Sequence, residues 1–584
     1  MKQITITLYL LLSVLLISCS SKPTNFSDSA VDNKQISEEI VKEVETDAIQ
    51  PKAAAKKEKS KLLAQSSVNA IAPMRRQMAM DMRSETLHSM SAVNAEPSYV
   101  NPLTLVDREN YANVEDNTIK RAAEQPVSTF SIDVDTGSYS NVRRMLREGR
   151  LPNRNAVRVE ELINYFSYHY PEPKSESTPF SVSTEIAPAP WNTKHYLLQI
   201  GIKGFNMTQQ TLPPANLVFL LDVSGSMNSP NKLGLLKKSL RLLMQNMRPV
   251  DRVSIVVYAG ASGVVLEPTP GNEHAKISIA LDQLQAGGST NGGAGIRLAY
   301  AMAKQAFIPS GINRILLATD GDFNVGTVSF EALKDLVEDK RKTGISLTTL
   351  GFGTGNYNDH LMEQLADAGN GNYSYIDTLN EAQKVLVDEM ASTLNTIAKD
   401  TKIQVEFNPA VVSEYRLIGY ENRALKREDF NNDKIDAGEI GAGHTVTALY
   451  EIALKGEGEQ IDQLRYGKHE STPSNPSNEL AFLRLRYKLP ESDQSTLLEK
   501  PILKQNINAN IQETSMDFRF SASVAAFAQL LKGGKYTQNF SHSDVMKLAR
   551  NARGNDLFGY RSEFLQMVNL ANSLSGGGSL VHAD

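Results

Sequence analysis

The stretch Leu217-Val218-Phe219-Leu220-Leu221-Asp222-Val223-Ser224-Gly225-Ser226 decides how the rest of the chain is read. Its first five residues form an apolar run that reads as a strand, and an acid and two hydroxyl residues follow directly on it. Gly225 permits the tight turn on which Asp222, Ser224 and Ser226 then emerge together. In an open α/β sheet, ligands bind outside the carboxyl ends of the strands, so a carboxylate and two hydroxyls leaving such an end converge on a crevice.

Outward from this strand, residues 216–398 alternate strand-like and helix-like segments. Strands are expected at 217–221, 252–258, 314–319, 346–351 and 372–376, and helices at 232–247, 275–284, 294–307, 330–341, 359–368 and 381–396. Such alternation argues for a doubly wound α/β domain, a parallel sheet covered on both faces. Two further loops carry matching groups: Gly287-Gly288-Ser289-Thr290-Asn291-Gly292-Gly293 and Ala318-Thr319-Asp320-Gly321-Asp322. All the donors are hard oxygens, without sulfur or imidazole, which favours magnesium, manganese or calcium. Magnesium keeps several waters and takes few protein ligands, so an open coordination position is expected.

Asp222, Ser224, Ser226, Thr290 and Asp320 together resemble the complete metal ion-dependent adhesion site of von Willebrand factor A domains. The resemblance implies that Ser224, Ser226 and sometimes Thr290 bind the ion directly, while Asp222 and Asp320 act largely through bound waters. Two carboxylates roughly offset a divalent charge, which leaves the ion able to accept an acidic side chain from a protein partner. Asp322 reads as a helix cap or as support for the ligands from behind.

The N-terminus has a different character. Lys2 precedes an apolar run over 8–17 and then Ser18-Cys19-Ser20-Ser21, the layout of a secretory leader. The run is short for a bilayer crossing, which needs about 20 apolar residues. Leu16-Ile17-Ser18-Cys19 resembles the lipobox of bacterial prelipoproteins, which implies cleavage after residue 18 and lipidation of Cys19. Cys19 is the single cysteine of the chain, so no internal disulfide can form in a compartment that would allow one. Residues 19–95 are rich in Ser, Ala, Lys, Glu and Gln and read as a spacer that builds no core. Met74, Met78, Met80, Met82 and Met90 within it offer thioethers suited to copper(I), but the interleaved Arg75, Arg76, Asp81 and Arg83 favour a mobile or partner-docking segment.

With 584 residues, the chain is long enough for several packed units. Residues 96–212 read as a small α+β domain, 213–398 as the α/β domain, 399–575 as a β-rich domain closed by helices, and 576–584 as a loose tail. Asp133, Asp135, Ser138 and Ser140 imitate a metal site, yet Asp135 and Thr136 are better placed to cap the helix expected from 138. Asp429, Asn431, Asp433 and Asp436 resemble the start of an EF-hand, but Lys434 stands where Gly is needed and Ile440 where Glu is needed, so a solvated turn is expected. The stretches 130–140, 143–146, 158–161 and 164–166, with 415–423, Ala549-Arg550 and 558–561, resemble the flanking regions of one bacterial subfamily of A-domain proteins. That resemblance implies an architecture and no activity.

Net charge −5, with 22% charged residues, excludes a basic nucleic-acid footprint. A hydrolase would need a nucleophile with its base or a catalytic zinc; H-E-x-x-H is absent, and Val264 replaces the last glycine of a G-x-S-x-G frame at Ser262. An accessory factor of an ATPase-driven complex sits poorly with an export signal, and no phosphate loop occurs. The expectation is therefore a binding protein rather than an enzyme: a lipid-anchored module of the bacterial cell envelope, whose ion, Mg2+ or else Mn2+ or Ca2+, receives an acidic side chain from a protein partner.

Overall fold

The computed structural model of the protein describes residues 108–174, 178–208, 210–321, 329–462, 464 and 478–576. The leader with Cys19, the 19–95 spacer with its methionines, Asp322 and residues 577–584 lie outside the described residues. In chain order the strands are β1 (Lys120–Arg121), β2 (Val127–Ser131), β3 (Phe180–Ala189), β4 (Asn192–Gly204), β5 (Ala215–Asp222), β6 (Arg252–Tyr258), β7 (Ser262–Pro270), β8 (Ile312–Thr319), β9 (Ser346–Phe352), β10 (Tyr373–Ile376), β11 (Thr396–Phe407), β12 (Val412–Ile418), β13 (Gly438–Gly441), β14 (Thr445–Leu454), β15 (Glu479–Lys488) and β16 (Ser495–Leu503).

Strand β5 is buried at every position because it has neighbours on both sides and cover on both faces. It pairs in parallel with β6 and with β8. Leu217, Phe219 and Leu221 pack with Leu236, Leu240 and Leu243 of the Leu235–Met244 helix. Val218 and Leu220, pointing the other way, pack with Ile296, Ala299 and Ala303 of the Gly292–Gln305 helix. The full order is β10-β9-β8-β5-β6-β7, so the doubly wound sheet read from the sequence is present, with one addition. β7 runs antiparallel to β6 at the edge. Its Pro268 and Pro270 hide it from a strand reading, and only an edge position tolerates them.

Two expected helices differ in the structure. The one expected over 232–247 forms as Leu235–Met244, after a distorted turn at Pro230–Gly234 in which Lys232 has φ −114° and ψ −105°. The one expected over 381–396 is broken into Leu379–Gln383, a wide turn at Lys384–Asp388, and Met390–Leu394.

The larger correction concerns the flanks. The 96–212 and 399–575 segments, expected as separate domains, interleave in two shared sheets. One has the order β1-β12-β14-β4-β3; the other runs β13-β11-β15-β16, with β2 also on β11. Each of the pairs β1 with β12, β4 with β14 and β2 with β11 joins one segment to the other. Their core is equally mixed: Phe130, Leu198 and Ile200 pack with Val405, Tyr450 and Leu483. The terminal helices share another core, in which Phe166 meets Phe520 and Phe564 edge-on at centroid distances of 4.9 and 5.8 Å. Pairing between strands more than 200 residues apart leaves no local trace in the sequence, which is why the segments read as independent.

The acids at 133 and 135 serve this join rather than the expected cap. Asp133 and Asp135 both meet Arg423 at 3.1 Å, and Asp135 Oδ1 accepts from the Tyr373 amide at 2.7 Å. Thr136 occupies the cap position of the Gly137–Arg147 helix without a side-chain bond to it, and Glu161 Oε2 accepts the Ser138 amide at 2.7 Å instead. The side chains of the 429–436 stretch find partners within the protein: Asp433 accepts from Ser495, Asn431 from Arg486, and Asp436 pairs with Arg341 at 2.5 Å.

His195 ties β4 to β14 across the shared sheet. Its Nδ1 meets Glu451 Oε1 at 2.7 Å and its Nε2 meets the Gly458 carbonyl at 2.8 Å, so the ring faces two acceptors. Burial favours the neutral imidazole, yet the Glu451 carboxylate and the Gly458 carbonyl outweigh it and hold the pKa above its ordinary value. A raised histidine pKa gives stability that is fully present below about pH 6.5 and is lost as pH rises through the folded value. The stability lost in His195→Gln, followed by urea unfolding, is therefore expected to be largest at acid pH and to shrink above neutrality; a loss that grows with pH contradicts this.

Candidate metal centre

Asp222 closes β5, and its carboxylate is fully buried. Oδ1 accepts the Ser224 amide at 2.8 Å, which folds the turn back over the strand end. Oδ2 accepts from the Thr319 hydroxyl at 2.8 Å and from the Tyr258 hydroxyl at 3.2 Å, so the ends of β8 and β6 both orient it. Ser224 is buried beside it, and its Oγ lies 3.0 Å from Ser226 Oγ. Two hydroxyl oxygens and a carboxylate are thus presented by one turn, as the strand-end position requires.

The second loop is brought in by backbone bonds. The Gly225 amide donates to the Gly288 carbonyl at 3.1 Å, and the Gly287 amide to the Val223 carbonyl at 2.8 Å. Gly288 has φ +84°, a backbone that a glycine adopts readily. Thr290 follows two residues later, half-buried, just before Asn291 caps the Gly292–Gln305 helix through the Ala294 amide.

Asp320 follows β8 and is fully buried. The next residue, Gly321, has φ +81°, and a Cβ there would stand 2.4 Å from the Asn358 amide, so the chain passes too close for a side chain. Lys232 Nζ donates to Asp320 Oδ2 at 2.8 Å and to Asn356 Oδ1 at 3.0 Å. Asn356 Nδ2 reaches the same carboxylate oxygen at 3.4 Å. The loop that carries Asn356 is held from outside: the Arg108 and Asn110 amides donate to the Gly355 and Tyr357 carbonyls at 3.1 and 2.9 Å, and Glu109 accepts from Gly355.

The donor set suits a hard divalent cation. Burial pushes the Asp222 carboxyl above the usual carboxylate range; hydrogen bonds from Ser224 and Thr319 oppose this, and the nearby Asp320 charge adds to it. Two buried carboxylates at the ends of the adjacent strands β5 and β8, only one of them paired with an ammonium, leave a negative charge that a cation would relieve. Exposure rises from the carboxylates through Ser226 and Thr290 to the open Gly287, Gly288 and Ser289, so the rim faces solvent.

Asp222, Ser224 and Ser226 stand at the end of β5 and Asp320 directly after β8, while Thr290 stands on the loop between the His274–Gln283 and Gly292–Gln305 helices; Asp322 is outside the described residues. Tyr258, Thr319, Lys232 and Asn356 were not among them. The strand-end rule contained a signal for Asn356, because Gly353-Thr354-Gly355-Asn356 directly follows β9, another parallel strand of the same sheet.

The sheet order and its helices define a von Willebrand factor type A domain, and the family model of that name matches residues 216–389. A von Willebrand factor model matches 105–199, and a model described as "Uncharacterized protein YfbK, C-terminal" matches 392–574. "Uncharacterized protein YfbK" of Escherichia coli (strain K12) is 48% identical over 472 residues, 80% of this chain and 81% of that protein, and the chain belongs to its family. "Uncharacterized protein sll0103" of Synechocystis sp. is 26% identical over 321 residues, 54% of this chain and 71% of that protein. A solved von Willebrand factor type A structure from Catenulispora acidiphila aligns at 15% identity with a TM-score of 0.39, over 69% of this chain and 91% of that one.

Proposed function

We propose that this chain is a lipid-anchored protein of the bacterial cell envelope that binds a protein partner through a divalent cation. The observation that carries the reading is the convergence of Asp222, Ser224 and Ser226 on the end of β5, beside the buried Asp320 that follows the neighbouring strand β8. Ser224, Ser226 and Thr290 would hold Mg2+, Mn2+ or Ca2+ from the rim, with Asp222 and Asp320 behind bridging waters. The ion would supply an electrophilic position for a carboxylate of the partner. The chain's own part is to orient the oxygens: Thr319 and Tyr258 fix Asp222, and Lys232 and Asn356 fix Asp320.

Nothing in this role asks for a nucleophile or a catalytic base, so the reading assigns no catalysis. The anchor rests on Cys19 after its short apolar leader, and palmitate labelling that disappears in Cys19→Ser tests it. For the site, an immobilised chain is expected to retain Asp- and Glu-containing peptides in Mg2+ and release them in EDTA. Retention that is equal in EDTA contradicts metal-dependent binding.

A further inference from the structure

Lys232 carries a positive charge into a site whose purpose, on the reading above, is to attract one. It is 8% exposed, and it stands in the distorted turn ahead of the Leu235–Met244 helix rather than in the helix itself. The distortion turns it inward. Its aliphatic stem fills the space beside Gly353, where a Cβ would lie 2.3 Å from Lys232 Cε, and φ +78° further restricts that position to glycine. Its ammonium ends on Asp320 Oδ2 at 2.8 Å and Asn356 Oδ1 at 3.0 Å. A lysine that served only to keep a surface helix soluble would not be buried, nor would a glycine be kept clear for its stem.

We propose that Lys232 sets the charge of the metal-loaded site and thereby makes it selective for an anionic ligand. The inference rests on the metal-binding reading and adds a balance of charge to it. Asp222 and Asp320 alone would bring a divalent ion to neutrality, which leaves a position able to accept a carboxylate but adds no net charge that favours a carboxylate over water. With the Lys232 ammonium included, the three side chains carry −1 in total, and the loaded site carries +1. One carboxylate from outside then restores neutrality. The same ammonium repels the incoming cation, so affinity for the metal is given up in exchange for affinity for an acidic partner.

The two consequences have opposite signs, which separates this role from a merely structural one. In Lys232→Gln the charge is gone while a hydrogen-bond donor remains; in Lys232→Arg the charge is kept. Mn2+ binding to the whole chain is measured by calorimetry. Acetate is then titrated into the Mn2+-loaded protein, and displacement of ion-bound water is followed by water-proton relaxation. Loss of a like charge near the ion is expected to tighten Mn2+ binding in Lys232→Gln by about tenfold or more. Acetate binding is expected to weaken by about the same factor in that variant, and both are expected to stay close to native in Lys232→Arg.

If Lys232→Gln, folded by circular dichroism, binds Mn2+ and acetate as the native chain does, or weakens both, Lys232 only positions Asp320 and the proposal is overturned. Should Lys232→Gln fail to fold, Lys232→Met supplies the same comparison, and acetate binding that is unchanged in it overturns the proposal equally. Absence of Mn2+ binding in the native chain is a different failure: it removes the metal reading itself, and this inference with it.

Discussion

Asp222→Ala is expected to abolish binding of Mg2+ and Mn2+ by calorimetry while leaving the chain folded. The carboxylate is fully buried at the end of β5, and it organises the turn through the Ser224 amide, so its loss removes both a charge and the geometry of two hydroxyls. The cost to stability is expected to be modest, about 1–2 kcal/mol, from leaving the Thr319 and Tyr258 hydroxyls short of an acceptor. That cost is partly offset, because burial already disfavours the charged form of Asp222. Wholesale unfolding of the variant, or metal binding that survives it, would each count against a binding site here.

The second large effect lies away from the metal. Arg143, 1% exposed, reaches from the Gly137–Arg147 helix to Asp377 and Glu381 beside the α/β sheet and to Glu563 of the last helix, the latter two at 2.8 Å. Tyr165 adds a hydroxyl at 3.0 Å. Arg143→Ala takes the nearest cation from two buried carboxylates, leaving Asp377 only Arg147 at 3.9 Å and Glu381 the field of Lys384, a change that typically costs about 3–5 kcal/mol. Arg241→Ala, which breaks a pair with the exposed Asp282, is expected to cost less than about 1 kcal/mol. Urea unfolding of both variants checks the contrast; equal and small losses would mean that the Arg143 junction contributes little. A large loss with a single transition would also show that the α/β body and its flanks unfold together.

That junction marks the boundary of what the sequence discloses. Leu217 to Leu221 is legible because burial on both faces demands an unbroken apolar run, and the apolar β5 interior follows from it. The positions of Asp222, Ser224, Ser226 and Asp320 at the ends of β5 and β8 are legible because an apolar strand runs directly into polar residues and a glycine turn, at Gly225 and at Gly321, whereas Thr290 stands out only by its glycine-rich loop. β7 is not legible, since Pro268 and Pro270 suppress the strand signal at an edge. The pairing of β2 with β11 and of β4 with β14 is not legible either, because long-range register is set by whole-sheet packing rather than by local pattern. Lys232 falls between the two cases: helical periodicity absorbs it into a surface helix, and only the distorted turn and the clearance at Gly353 reveal where it points. Asp133 and Asp135 show the converse, acids whose spacing suggests a cap or an ion but whose partner, Arg423, arrives from the far side of the sequence.

The central claim is that one divalent cation sits over the end of β5, and anomalous scattering from crystals grown with Mn2+ tests it most directly. The expected result is a single strong peak within coordination distance of Ser224 Oγ and Ser226 Oγ, with Asp222 and Asp320 reached through water and one position open to solvent. A map with no peak there, or with its peak at another cluster of acids such as Asp133 and Asp135, would contradict the account.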